Sequence, residues 1–254
     1  MTTSPRDRFI TIYGRIPVLE ALQDARLPID KVLVAREARG EVIEQICAAA
    51  AARGVTLQRA TAARVTRLSR NGRHDQGVVA DIEAPGVAEL DDWLSANPAP
   101  AAARVVVLDG VTNPANVGLI IRSVTAAGLA GIVLPRAGSP DFGPLVIKAS
   151  AGAAFHACVL RSPTAVAALE SMSAGGFRLY GLRARHADVL WDVEVADRAA
   201  LVLGSETDGI STAAADRITA WIRLPVANGV ESLNVATAAA VVAYELARRS
   251  PAAS

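Results

Sequence analysis

Apolar positions in the first 85 residues alternate between short runs and helical spacing, which is typical of an α/β domain. Residues 31–35 form a mostly apolar run that predicts a buried strand. Residues 40–54 carry apolar side chains at helical spacing and end in glycine, so they predict a helix. Residues 55–60 and 77–82 predict two further strands. The pattern therefore predicts a small α/β domain over residues 1–85.

Beyond residue 104 a second pattern begins, in which longer apolar runs alternate with helical segments. The predicted strands cover residues 105–108, 131–134, 157–160, 177–182, 200–203 and 221–224. Apolar strands separated by helices predict a parallel sheet that is covered on both faces. Ligands of such sheets bind beyond the carboxyl ends of the strands, so the loops that follow these strands are the candidate site.

The segment between the two patterns, residues 86–103, is rich in alanine and proline and holds one short helical piece. This composition predicts a linker. We therefore expect a domain over 1–85, a linker over 86–103 and a second domain over 104–254.

Composition limits the class of protein. Hydrophobic residues make up 52% of the chain, which favours a folded protein. No run of 18 uncharged apolar residues exists, and the first residues lack the pattern of a secretory signal. Cys47 and Cys158 lie far apart in apolar contexts, and no Cys/His cluster has metal-ligand spacing. We expect a cytoplasmic protein with free thiols, no membrane span and no metal.

Positive charge is concentrated in the first domain. Residues 1–85 carry 13 Lys/Arg against 10 Asp/Glu, whereas residues 86–254 carry 13 against 15. No acidic residue lies between Glu44 and Asp75, an interval that holds six arginines: Arg53, Arg59, Arg64, Arg67, Arg70 and Arg73. Such a run either lines a phosphate-binding face or forms an ordinary solvated surface, and charge alone does not separate the two.

The loop and helix after the first strand of the second domain carry a conspicuous arginine. Asn116 is a candidate N-cap for a helix over 117–127, and Gly118 and Arg122 lie one turn apart on it. Because its helix neighbours are apolar, we expect Arg122 to be partly buried. A buried guanidinium needs an anionic or carbonyl partner, which is either an internal ion pair or a ligand.

Two further loops follow later strands. In residues 201–211 an apolar strand runs into a turn with Gly204, Glu206 and Gly209, whose glycines permit close approach of a ligand. This turn is neither a dinucleotide fingerprint nor a phosphate loop, because G-x-G-x-x-G and Gly-Lys-Ser/Thr are absent. The loop over 224–234 leads into a long, small-sided helix, which we expect Ser232 to open.

Taken in order, these loops resemble the motifs of the SpoU (TrmH-like) group of SPOUT methyltransferases. That family shows N-x-G-x-x-x-R, then G-x-E-x-x-G, then P-x-x-x-x-x-x-S-L-N before a helix. The matching residues here are Asn116, Gly118, Arg122, Gly204, Glu206, Gly209, Pro225, Ser232, Leu233 and Asn234. Residues 148–154 also look like a family segment. Residues 13–22 and 74–80 look like the substrate-binding domain of bacterial ribosomal RNA members, whose fold is similar to certain ribosomal proteins. One departure is Asn228, where the family usually has glycine.

The resemblance implies a fold, a cofactor and an activity. The second domain is expected to be an α/β trefoil-knot (SPOUT) domain with a parallel sheet, which forms a homodimer through the knot region. S-adenosylmethionine is the implied methyl donor, and the implied reaction is methylation of a ribose 2′-hydroxyl in RNA, of a guanosine in 23S rRNA. The implied cofactor-binding residues are Gly204, Gly209, Leu224, Val226 and Leu233.

Arg122 is the implied catalytic residue, with Asn116, Glu206 and Asn234 orienting it and Ser232 helping to hold the substrate. An arginine is a difficult literal base, because lowering a guanidinium pKa from above 12 to about 8 would cost on the order of 5–6 kcal/mol. We therefore favour an electrostatic clamp on the 2′-oxygen and a neighbouring phosphate. The six arginines of the first domain would hold RNA.

Three alternatives remain at this point. The chain could be a tRNA 2′-O-methyltransferase, a resistance methylase acting on ribosomal RNA, or a non-catalytic RNA-binding or ribosome-assembly factor. Intact Arg122, Glu206 and Asn234 argue against the last. Binding of S-adenosylmethionine discriminates it from the enzymes, since a pure RNA binder need not take up the cofactor.

Overall fold

The computed structural model describes residues 9–25, 27–83 and 87–249, and the chain divides into two compact units. Unit 1 comprises Met1–Pro85 with Phe142–Pro144, and unit 2 comprises Gly86–Asp141 with Leu145–Ser254. None of the helices within these described ranges is long and apolar enough to cross a membrane. Cys47 and Cys158 are half-buried free thiols, and burial raises the pKa of the Cys158 thiol.

Unit 1 is a four-stranded mixed sheet with three helices. The strands are β1 (Phe9–Tyr13), β2 (Ile29–Ala35), β3 (Thr56–Ala60) and β4 (Val78–Glu83), and the helices are α1 (Arg15–Gln23), α2 (Glu41–Ala52) and α3 (Ala62–Ser69). The strand order is β1-β4-β2-β3, with β4 antiparallel to β1 and β2, and β3 parallel to β2. The strands and the helix predicted within this range are confirmed, and β1 was not predicted.

Unit 2 is built on an eight-stranded sheet in which every neighbouring pair is parallel. The strands are β5 (Val87–Glu89), β6 (Ala103–Asp109), β7 (Gly131–Pro135), β8 (Val159–Ser162), β9 (Arg178–Leu182), β10 (Asp188–Val189), β11 (Arg198–Gly204) and β12 (Ala220–Arg223). Their order is β10-β12-β9-β11-β6-β7-β8-β5. The parallel sheet and the six strands predicted from apolar runs are confirmed.

Helices lie between most of these strands, and a long helix follows the last one. They are α4 (Leu90–Ala96), α5 (Pro114–Ala126), α6 (Pro144–Ala149), α7 (Ala165–Ala174), α8 (Thr212–Ala215) and α9 (Val235–Arg249), with short 3-10 turns at Ala153–Phe155 and Leu190–Asp192. Side chains alternate across the sheet, so β11 sends Ala200 and Val202 into one core and Leu201 into another. The first core packs beside α7 and the second beside α9, which covers both faces of the sheet.

The prediction of a linker over 86–103 is wrong for most of its length. Residues 87–89 pair with β8 at the edge of the sheet, and Leu90 at the start of α4 is buried in the core of unit 2. A strand of three residues is too short to produce an alternating pattern, and the alanines and prolines after it dominated the composition. The trefoil knot is not tested by the strand order and stays a prediction.

Candidate active site

The carboxyl ends of four adjacent strands, β6, β11, β9 and β12, meet at one edge of the unit 2 sheet. A cavity of about 240 Å³ opens there. Its lining residues are Leu182, Arg183, Ala184, Leu203, Gly204, Ser205, Glu206, Gly209, Leu224, Val226, Glu231, Ser232, Leu233, Val235 and Ala238. All five predicted cofactor-binding residues are in this set, together with Glu206 and Ser232. Their role in binding a cofactor stays a prediction, but the structure brings them to one cavity.

A tight turn after β11 forms one wall. The Ser205 amide donates to Gly209 O at 3.0 Å, and the Gly209 amide donates back to Ser205 O at 3.1 Å. Gly209 holds a φ of 70°, which favours glycine. A Cβ on Gly204 would overlap with the backbone of Gly209 and Ile210, so only glycine fits at the point where the chain folds back.

The loop before α9 forms the opposite wall. Asn228 and Gly229 both have positive φ, of 57° and 76°. Asparagine tolerates this left-handed conformation, so the departure from the family's glycine leaves the turn intact. Val226 and Leu233 are each 37% exposed although they are apolar, and they face the cavity. This wall can therefore receive the flat, apolar part of a ligand.

A chain of three side chains joins the motif segments. The Asn234 amide nitrogen donates to Asn116 Oδ1 at 3.3 Å, and the Asn116 amide nitrogen donates to a carboxylate oxygen of Glu206. Asn116 is only 8% exposed, so these bonds satisfy a buried amide. The three segments, distant in sequence, are thus tied together beside the cavity.

The two predicted helix starts need correction. The helix α5 begins at Pro114 and is capped by Asn113, whose Oδ1 accepts from the Ala115 amide at 2.9 Å. Asn116 lies inside the helix and is not its cap. Likewise Ser232 does not open α9, because Asn234 Oδ1 accepts from the amides of Ala236 and Thr237. A capping residue and a buried hydrogen-bonding residue are chemically alike, so spacing alone could not assign them.

Gly118 lets α5 lie directly on the helix α6. A Cβ at this position would be 2.5 Å from both Val146 O and Ala149 Cβ. Gly118 therefore serves the close packing of α5 on α6. This packing fixes the helix that carries Asn116 and Arg122.

Arg122 is exposed, and the expectation of partial burial is wrong. It is absent from the cavity lining, and among the described residues none forms a hydrogen bond or ion pair with its side chain. Six residues of α-helix turn the chain by roughly 240°, so Arg122 projects from a different side of α5 than Asn116. The apolar neighbours Ile120, Ile121 and Val124 face the core and leave Arg122 on the outer stripe.

The cavity also includes residues that the sequence analysis missed. Leu182 ends β9, Arg183 and Ala184 follow it, and Glu231 lies in the loop before α9. The rule that ligands bind beyond the carboxyl ends of parallel strands points to residues 182–184, because 177–182 was a predicted strand. The Arg183 guanidinium itself stacks over the Trp221 ring at 4.5 Å.

The six arginines of unit 1 divide into two groups. Arg53 donates to five carbonyl oxygens, those of Ala21, Leu22, Asp24, Ala25 and Leu27, at 2.6–3.5 Å. Arg59 donates to the carbonyls of Ala35 and Ala38. Because their guanidinium groups are engaged within unit 1, these two are less available to RNA than the other four, and their part in RNA binding stays a prediction.

The second group remains a candidate for RNA binding. Arg64, Arg67, Arg70 and Arg73 are exposed, and in the described part of the chain no side-chain partner is found for any of them. They lie on α3 and on the loop that follows it.

Arg53→Lys is expected to lower the free energy of unfolding by about 2–3 kcal/mol, because a lysine ammonium cannot span five carbonyls and leaves several without a donor. Chemical denaturation of the full chain measures this. Arg73→Lys, an exposed site, is the control and should change stability by less than about 0.5 kcal/mol. Equal stability of the two variants would contradict the structural role of Arg53.

Unit 2 is therefore an α/β unit with a ligand cavity at the edge of a parallel sheet, and unit 1 is an α/β unit that carries four exposed arginines. The sequence model of the SpoU rRNA methylase family matches residues 103–244. The sequence model of a second family, described as RNA 2′-O ribose methyltransferase substrate binding, matches residues 11–87. The chain belongs to the SpoU rRNA methylase family and is an RNA methyltransferase. The predicted methyl donor is confirmed, since SpoU methyltransferases use S-adenosylmethionine.

Relatives extend along nearly the whole chain. A tRNA/rRNA methyltransferase of Mycobacterium tuberculosis is 33% identical over 96% of this chain and 75% of its own. A TrmH-family tRNA/rRNA methyltransferase of Staphylococcus aureus is 30% identical over 94% of this chain and 95% of its own. The AdoMet-bound rRNA methyltransferase of Sinorhizobium meliloti superposes with a TM-score of 0.70, at 25% identity, over 96% of this chain and 88% of that one. The AdoMet complex of the SpoU methyltransferase AviRb from Streptomyces viridochromogenes superposes with a TM-score of 0.68. The two chains are 25% identical over 96% of this chain and 91% of that one.

Proposed function

We propose that this chain transfers a methyl group from S-adenosylmethionine to the 2′-hydroxyl of a guanosine ribose in 23S rRNA. The observation that carries the proposal is the hydrogen-bonded chain of Asn234, Asn116 and Glu206, which joins all three motif segments beside one cavity. The match of unit 1 to a substrate-binding domain of RNA 2′-O ribose methyltransferases supports the ribose as the acceptor.

The cavity suits the cofactor. Leu224 and Leu233 offer apolar contact to an adenine ring, and the carboxylates of Glu206 and Glu231 suit positively charged groups. Within residues 225–233, all of them described, one backbone hydrogen bond is found, from the Val230 amide to Ala227 O, so other backbone groups are free to bind the base. When bound, S-adenosylmethionine supplies an electrophilic methyl group on a sulfonium.

We propose that Arg122 acts on the acceptor side as an electrostatic clamp. A 2′-hydroxyl is a weak nucleophile, and a guanidinium beside it stabilises the charge that develops on the oxygen. Asn116 and Glu206 hold the start of α5 against the cavity wall, which positions the helix that carries Arg122. Ser232, exposed at the cavity, contacts the RNA backbone in this arrangement.

The exposed position of Arg122 favours a homodimer in which each cavity receives Arg122 of the partner subunit. The outer stripe of α5 is formed by Ala115, Leu119, Arg122 and Ala126, and Leu119 is 43% exposed. The helix α9 packs along α5 and presents Tyr244, 56% exposed, on its own outer stripe. Exposed apolar side chains on two helices that pack together are a feature of protein interfaces. The implied interface through the knot region therefore fits the observed surface.

The choice of 23S rRNA over tRNA rests on unit 1, because residues 13–22 and 74–80 resemble the substrate-binding domain of ribosomal RNA members. Bacterial 23S rRNA is made in the cytoplasm, so we propose that the reaction takes place there. Mapping of 2′-O-methyl groups in cells with and without this gene tests the substrate. We expect one guanosine of 23S rRNA to lose its methyl group in the deletion strain. Loss of a tRNA methyl group, with rRNA unchanged, would contradict the proposal.

The cationic surface of unit 1 gives a separate prediction. Arg67→Gln with Arg70→Gln should weaken RNA binding and lower the slope of log affinity against log salt by about 1 for each phosphate that is no longer bound. Filter binding at several salt concentrations measures both quantities, and the affinity for S-adenosylmethionine should stay unchanged. Gln23→Glu with Gln45→Glu is a control, because it changes net charge equally at exposed sites on α1 and α2. An equal loss of RNA affinity in the two double variants would show that net charge, and not the position of Arg67 and Arg70, determines RNA binding.

A further inference from the structure

The loop between α3 and β4, residues 70–77, is anchored by a buried carboxylate. Asp75 is 5% exposed and accepts from Thr66 Oγ1 at 3.0 Å, from Ser69 Oγ at 3.0 Å and from the Gly77 amide at 2.9 Å. Arg70 and Gln76, with φ of 52° and 51°, turn the chain at its two ends. Three hydrogen bonds to one buried group make the loop a fixed part of unit 1.

The exposed His74 side chain of this loop is held by Asn71. The Asn71 amide nitrogen donates to the Tyr13 hydroxyl at 3.0 Å, and Asn71 Oδ1 lies 3.0 Å from His74 Nδ1. An amide oxygen can only accept, so the neutral His74 ring carries its proton on Nδ1. Nε2 is then an outward hydrogen-bond acceptor, for which no partner is found in residues 9–25, 27–83 and 87–249.

His74 lies in the loop that carries Arg70 and Arg73, directly after the helix that carries Arg64 and Arg67. A Cβ on Gly72 would be 2.7 Å from Thr66 Cγ2, which shows that the loop folds directly against the helix. The exposed arginines of the cationic surface are Arg64, Arg67, Arg70 and Arg73. The surface therefore combines unpaired cations with one fixed, neutral acceptor. A nucleotide matches both features, since it brings a phosphate for the cations and a donor group on its base.

We propose that His74 recognises an RNA base by accepting a hydrogen bond from its exocyclic amino group, with Asn71 as the positioning residue. Adenine, guanine and cytosine carry such a group and uracil does not. The arginines around it then bind phosphates without regard to sequence. This proposal rests on the proposed function, because it takes RNA as the substrate of this chain, and it adds a residue that selects among RNA sequences.

The test compares His74→Ala with the wild type in filter binding to poly(A) and poly(U) at pH 8.5 and several salt concentrations. We expect affinity for poly(A) to fall about tenfold, affinity for poly(U) to stay within about twofold, and the salt slope to stay unchanged. His74→Gln, whose amide oxygen can reach the position of Nε2, should recover part of the loss. Asn71→Ala should show part of the same selective loss. His156→Ala, at an exposed site of unit 2, is the control, and thermal unfolding verifies that each variant is folded.

Three outcomes would overturn the proposal. Unchanged affinity for both polymers would show that His74 contacts no RNA. An equal loss on both with an unchanged slope would indicate a ribose contact, and an equal loss with a smaller slope would indicate a phosphate contact. Failure of the proposed function would be seen in a separate experiment, as absence of methyl transfer by the wild-type chain. The binding comparison of His74→Ala with the wild type would still test the role of His74.

Discussion

Gly204→Ala should raise the dissociation constant for S-adenosylmethionine by about 100-fold, because the added methyl group overlaps with the backbone of Gly209 and Ile210. Relief requires that the turn closed by Ser205 and Gly209 open, and forced overpacking of this kind costs up to about 3 kcal/mol. Because this turn forms one wall of the cavity, we expect its distortion to weaken the binding of S-adenosylmethionine. Isothermal titration calorimetry measures the change directly.

A matched control separates strain at the cavity from the general effect of removing a glycine. Gly128 follows α5, has a φ of 73° and has open space where a Cβ would lie, with no atom within 4 Å. Gly128→Ala should therefore carry only the penalty of positive φ, about 1–2 kcal/mol of stability, and leave cofactor binding unchanged. If Gly204→Ala binds S-adenosylmethionine as tightly as Gly128→Ala does, the cavity is not the cofactor site.

Arg122→Lys should reduce the rate of methyl transfer by about 100- to 1000-fold, the usual effect of removing a donor that stabilises a developing oxyanion. Lysine keeps the charge but loses the planar fork that contacts an oxygen and a phosphate together. Affinity for S-adenosylmethionine should stay unchanged, because Arg122 does not line the cavity of its own chain. Arg217→Lys, in an exposed pair with Glu170, is the control and should keep full activity. Wild-type rates in Arg122→Lys would end the clamp hypothesis.

Mixed dimers test which subunit supplies the arginine. Chains with Arg122→Lys and chains with Gly204→Ala are co-expressed with different tags, and the heterodimer is purified through both. If each cavity uses Arg122 of the partner subunit, one of the two sites combines an intact cavity with an intact arginine, so about half of wild-type activity returns. If each cavity uses its own arginine, both sites stay defective and the heterodimer is inactive.

The sheet of unit 2 was predictable because its strands are buried on both faces and are therefore apolar along their whole length. The edge strands β5 and β10 were not, since three and two residues produce no pattern. β1 was missed as well, although its burial alternates along the strand.

The candidate site was predictable as a set of loops but not as a set of contacts. The family resemblance implied Gly204, Leu224 and Leu233, and the structure brings all three to one cavity. Spacing could not show that Asn116 lies within a helix, that Arg122 is exposed, or that Arg53 binds backbone carbonyls. Each of these depends on which side of a helix faces the core or on a partner 26 to 32 residues away along the chain.

The most direct test of the account is to incubate the purified chain with unmethylated 23S rRNA and methyl-labelled S-adenosylmethionine, then digest the RNA to nucleosides. We expect the label in 2′-O-methylguanosine, at no more than one methyl group per 23S rRNA molecule, and far less of it in the same time with Arg122→Lys. Label on a base, or tight cofactor binding without any transfer to 23S rRNA, would contradict ribose methylation by this site.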